Sequence, residues 1–150
     1  MKFPLSPMAL KWCGPPKKGL EIGGTSWNEF GCDLLNVVPL DPEDRAFYDK
    51  AHAEMGEPIK KIDIDAEGDD IPVPDSSQDV VLSSHVIEHM PDPIRAFKEW
   101  YRVCKAGGVV YCVFPHRDAH IPDRVKPIST LEQYIEAHRR KLRPEDIEQI

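Results

Sequence analysis

Four short clusters in the chain combine glycines, carboxylates and hydroxyls in a way that suits ligand binding. They are Gly23, Gly24, Thr25 and Ser26; Asp41; Asp65, Ala66 and Glu67; and Ser83, Ser84 and His85. Glycine lets the backbone approach a ligand closely, and a carboxylate about 20 residues further on can accept hydrogen bonds from both hydroxyls of a ribose. Glu21 and Asp41 are 41 − 21 = 20 positions apart. A dinucleotide matches poorly: the glycines at 19, 23, 24 and 31 do not form G-x-G-x-x-G, and no helix start is shaped to receive a pyrophosphate. A nucleoside without phosphates fits the clusters better.

Each cluster follows a run that reads as a strand. Residues 19–23 (GLEIG) and 34–40 (LLNVVPL) are short apolar runs, 61–65 (KIDID) alternates, and 79–84 (DVVLSS) is β-branched. Residues 109–114 make a fifth strand. Helical spacing appears over 41–55, through Phe47, Tyr48, Ala51 and Met55. It recurs from Asp92 through Ile94, Phe97, Tyr101 and Cys104, closed by Gly107 and Gly108, and again from Leu131 to Leu142, with Ser129 and Glu132 as a capping box and Pro144 as the stop. Residues 1–17, with Pro4, Pro7, Pro15 and Pro16, read as an extended arm leading into one domain over 18–150. Strands alternating with helices predict the α/β class, an open, doubly wound, mostly parallel sheet whose ligand crevice lies at the carboxyl ends of the strands.

Composition narrows the function classes. With 150 residues, 41% hydrophobic and 30% charged, the chain suits one globular core. Its longest apolar run, 109–114, is far short of the roughly 20 residues of a membrane span, and the N-terminus lacks the features of a secretory signal, so the expectation is a cytoplasmic protein with no membrane partner. Cys13, Cys32, Cys104 and Cys112 lack the close spacing of zinc or redox motifs and read as reduced packing residues. A net charge of −7 disfavours nucleic acid, and the one basic run, 138–143 (HRRKLR), reads as a solvated helix face.

Four stretches in order, GLEIGGTSWNEFG (19–31), VVPLD (37–41), DAEGDDIPVPDSSQDVVLSSHVIEHMPDP (65–93) and EWYRVCKAGGVVYCVFPH (99–116), resemble the class I S-adenosylmethionine-dependent methyltransferases, most closely the methyltransferase type 11 group. The resemblance implies a Rossmann-like methyltransferase core with S-adenosyl-L-methionine as cofactor and a small molecule as acceptor for O- or N-methylation. It implies that Glu21, Gly23 and Gly24 shape the pocket around the methionine and ribose, and that Asp41 takes the ribose hydroxyls. Asp65 and Ala66 would address the adenine, with Asp69 as the competing carboxylate, and Ser84 and His85 would line the methionine side. Residues 127–138 resemble a segment of bacterial methyltransferases of cell-surface glycan assembly, which implies a sugar or other hydroxylated acceptor.

Two departures accompany the resemblance. Thr25 stands where the family's E-x-G-x-G motif has its second glycine, and five strands replace the usual seven, without the closing antiparallel pair. The fifth strand then needs cover from the last helix, from a second copy or partner chain, or from further sequence. These departures favour an alternative function, a reduced, non-catalytic methyltransferase-like partner subunit.

His116 and His89 are the candidate catalytic bases, because imidazole titrates near neutrality. Residues 85–89 (HVIEH) match the H-x-x-E-H peptidase pattern in letters, but Pro91 and Pro93 deny it the sustained helix that such ligation needs. Glu88 and His89 with His116 or His120 could hold a cation, but they read better as capping and packing residues, so no metal is expected.

Overall fold

The computed structural model describes residues 6–14, 18–24, 34–41, 46, 49–50, 53–54, 56, 60–119, 124–144 and 146. The expected extended arm is helical over α1 (Ser6–Cys13). Pro7 lies in the first turn, where its missing N–H costs nothing, and Ala9 and Cys13, four apart, form a one-turn-spaced apolar contact too short to show as a period in sequence.

Four parallel strands, β1 (Gly19–Ile22), β2 (Leu35–Val37), β3 (Gln78–Ser84) and β4 (Cys104–Val113), lie in the order β2-β1-β3-β4. The expected strand at 61–65 is reduced to a single parallel bridge between Ile64 and Val37. Its neighbours leave the ladder because the Asp63 carboxylate accepts from the Asn36 N–H at 3.0 Å and the Asn36 carbonyl accepts from both Asp63 and Ile64. The order reverses between β1 and β3, the position at which open α/β sheets bind ligands.

Alternation along β3 separates two cores. Val81 faces a cluster with Leu20, Ile22, Val37, Ala96 and Trp100, whereas Val80 and Leu82 face Ala9, Cys13 and Leu34. Helix α2 (Pro93–Val103) covers the first face; Asp92 caps it by accepting from the Arg95 N–H at 2.9 Å. It ends at Val103 rather than at the glycine pair, because Cys104 is already extended and pairs with Gln78. Helix α3 (Leu131–Arg140) packs on α2, with a capping box formed by Thr130 and Gln133 in place of Ser129 and Glu132. Among the described residues of the expected helix over 41–55, positions 46, 49, 50, 53 and 54 are helical.

Helix α2 also organises the long connection between Ile64 and β3. Trp100 Nε1 donates to the Gly68 carbonyl at 2.7 Å, and Glu99 accepts from the Ile71 N–H at 2.7 Å. Arg102 donates to the Ile71 and Val73 carbonyls, each at 2.9 Å. Its guanidinium is held above the usual range by hydrogen bonds to Glu99 and Asp75.

Candidate cofactor crevice

The turn after β1 is the point where three strands meet. Gly23 has φ +67, its N–H donates to the Val37 carbonyl at the end of β2 at 2.9 Å, and an added Cβ would lie 2.5 Å from Val86 Cγ2, just beyond β3. Only a residue without a side chain satisfies both the left-handed backbone and the contact. Gly24 is buried: its carbonyl accepts from Asn36 Nδ2 at 3.0 Å, and an added Cβ would meet Asn36 Oδ1 at 2.5 Å. Asn36 also donates to the Lys61 carbonyl at 3.1 Å, linking the β1 turn to the chain that leads to Ile64. Sequence reasoning missed Asn36 as a positioning residue; its signal was one amide inside the apolar run 34–40.

Glu21 is 2% exposed and its carboxylate is ion-paired with Lys60. It braces the turn from the face where Asn36 lies. Asp41 is exposed at the exit of β2. The Asp65 carboxylate accepts from the Leu40 N–H at 2.8 Å, so it fixes the residue immediately before Asp41. The two carboxylates expected to face ribose and adenine thus lie on segments joined by a hydrogen bond. Ala66 is half-buried against the core.

Asp69, the competitor of Asp65, is engaged elsewhere. It is buried between Arg95, at 3.4 Å, and Arg143, at 3.9 Å, and burial pushes its carboxyl up against the pull of both guanidiniums. It locks the loop to α2 and to the segment after α3.

At the end of β3, Ser84 Oγ is buried and has no hydrogen-bond partner among the described residues. His85 follows with φ +56, an uncommon conformation for a residue with a side chain, held by its N–H on the Val113 carbonyl at 2.9 Å. His85 Nδ1 lies 3.3 Å from the Glu88 carboxylate. The β1 turn, the hydrogen-bonded segments that carry Asp41 and Asp65, and the buried Ser84 hydroxyl thus lie at one end of the sheet.

The two histidines considered as bases are not tied into this end. His89 is exposed at the close of the short turn Ile87–His89, and His116, 80% exposed beyond β4, has its Nδ1 accepting from the Asp118 N–H at 3.3 Å. No group of three His, Cys, Asp or Glu side chains suited to a metal occurs among the described residues. Thr25, Ser26 and His120 lie outside the described residues.

A family model described as Methyltransferase domain matches residues 23–112. A rice protein, 2-methyl-6-phytyl-1,4-hydroquinone methyltransferase 2, is 33% identical over 99 residues, which are 62% of this chain and 27% of the relative. A Mycobacterium tuberculosis protein named "Probable S-adenosylmethionine-dependent methyltransferase" is 31% identical over 105 residues, 67% of this chain and 37% of that one. The chain thus spans about a third of the length of these relatives. A Thermotoga maritima structure described as a SAM-dependent methyltransferase, possible histamine N-methyltransferase, superposes with a TM-score of 0.52 at 20% identity, covering 90% of this chain and 68% of that one. With the strand order, the glycine-walled β1 turn and a model matching well over half of its residues, the chain belongs to the methyltransferase domain family.

Proposed function

We propose that the chain binds S-adenosylmethionine above the carboxyl ends of β1, β2, the Ile64 bridge and β3, and transfers its methyl group to an oxygen or nitrogen of a small acceptor. The observation that carries this reading is the Gly23 turn, which joins the ends of β1 and β2 through one hydrogen bond and abuts Val86, two residues beyond the unpartnered Ser84 hydroxyl. The relative named for a hydroquinone supports a small hydroxylated acceptor; a sugar is the other such acceptor favoured by residues 127–138.

The bound cofactor supplies an electrophilic methyl on a positively charged sulfur. The chain's task is to hold that methyl in line with the acceptor and to exclude water, since proximity and orientation supply most of the rate. Gly23 and Gly24 let the β1 turn close against Val86 and Asn36, so that its backbone forms the wall on which the ligand rests, and Asp41 accepts from the ribose hydroxyls. Asp65 holds Leu40 through one oxygen and presents the other toward the adenine, while Ser84 and His85 face the methionine. His116 and His89 are the bases available if the acceptor must lose a proton, each on an exposed segment where an acceptor can reach it.

Titration calorimetry with S-adenosylmethionine and with S-adenosylhomocysteine tests the reading. One-site binding is expected, weakened about tenfold or more in Asp41→Ala, as loss of a hydrogen bond to a charged group implies. A second reading, a non-catalytic partner subunit, is favoured by the outer edge of β4, which pairs with no strand among the described residues. Failure to bind either compound would overturn the first reading and leave the second.

A further inference from the structure

The geometry points to a membrane-surface site on residues 124–143 that takes anionic lipid headgroups. Val125 is 87% exposed, Ile128 68% and Leu131 66%, and Tyr134 and Ile135 are exposed three and four positions further along α3. Large aliphatic side chains held in water over one continuous segment are uncommon without an apolar phase to receive them. The same segment carries six Lys or Arg and two Glu, a net +4, in a chain whose net is −7; the remainder is therefore −11. Arg139 and Arg140, at the end of α3, are exposed, in contrast to Arg143, which is committed to Asp69.

The anchor is rigid. Ala137 and Leu142 are buried, and His138 Nδ1 lies 2.8 Å from the Asp92 carboxylate that caps α2, so the segment is fixed to the domain while its apolar stripe stays outward. Leu131, Tyr134 and Ile135 on α3, continued by Val125 and Ile128 in the segment that leads into it and flanked by cations, give the pattern of an element lying in a bilayer interface. The acidic remainder supplies the orientation, because an anionic surface repels it and attracts the cationic segment. The sequence reading excluded a membrane partner because it sought spans, and no described helix is long and apolar enough to cross a membrane. Lying on a surface needs no span.

Cosedimentation with vesicles tests the site, using phosphatidylcholine alone and phosphatidylcholine with about one-third phosphatidylglycerol. The chain should bind the second and not the first, and added salt should weaken binding. Arg139→Glu/Arg140→Glu should reduce partitioning about thirtyfold or more. Ile128→Ser/Leu131→Ser should also reduce it, with melting temperatures unchanged because all four side chains are exposed. No binding to the anionic vesicles, equal binding to both, or binding untouched by the variants would overturn the proposal. So would preferential binding of single-stranded RNA that depends on the arginines alone. None of these results depends on cofactor binding.

Discussion

Replacing Gly23 with alanine probes the contact on which the crevice rests. The added Cβ meets two obstacles: φ is +67, and Val86 Cγ2 stands 2.5 Å away. A left-handed conformation costs an L residue about 1–2 kcal/mol, and forcing a methyl into filled space costs typically about 1–3 kcal/mol more. Together the loss is about 2–5 kcal/mol, and at about 2–4 °C per kcal/mol the melting temperature should fall by roughly 4–20 °C. Gly107→Ala is the internal control, because its φ is +77 but nothing lies within 4 Å of an added Cβ. That variant should lose only the backbone part, about 1–2 kcal/mol. Val86→Ala removes the obstructing methyl, so Gly23→Ala/Val86→Ala should be less destabilised than the sum of its single variants by about 1–3 kcal/mol. Urea unfolding followed by tryptophan fluorescence gives all four values at a common slope. Equal losses in the two glycine variants, together with strict additivity in the double variant, would refute the contact between the β1 turn and the end of β3.

Two further predictions concern protons. Burial raises the Glu99 carboxyl, but the Arg102 and Ile71 hydrogen bonds outweigh it and hold the group below its ordinary 4.5. Its stabilisation is present above that value and is lost as pH falls through the lower folded value, so Glu99→Gln should flatten the acid limb of a urea-midpoint curve below about pH 4.5; superimposable curves would contradict the pairing. Burial, followed by the nearby Glu88 charge, pushes the Cys112 thiol from 9.0 to about 11. Iodoacetamide at pH 8 should therefore label Cys112 about a hundredfold more slowly in the folded chain than in urea, read by peptide mass spectrometry, and equal rates would contradict the burial.

Sequence carried most of the sheet because its strands are buried runs with few local alternatives. Residues 79–84 lie within β3, 109–114 runs one residue past the end of β4, and 19–23 overlaps β1. Segment 61–65 misled because its polar positions are spent on hydrogen bonds to Asn36 rather than on a second ladder, which alternation alone does not reveal. Helix α1 was hidden because eight residues offer one buried pair and the surrounding prolines dominate the local signal. At the crevice, the glycines and carboxylates were legible through position after strands. The braces of Asn36, Lys60 and Trp100 were not, since they act across 12 to 39 positions through contacts that only the folded chain creates.

Amide hydrogen exchange with and without S-adenosylhomocysteine tests the central claim directly. Protection should rise together in residues 22–24, 38–41, 65–66 and 84–86, the ends of neighbouring strands that one nucleoside would bridge. Unchanged exchange in these four segments, or protection confined to another part of the sheet, would contradict the account.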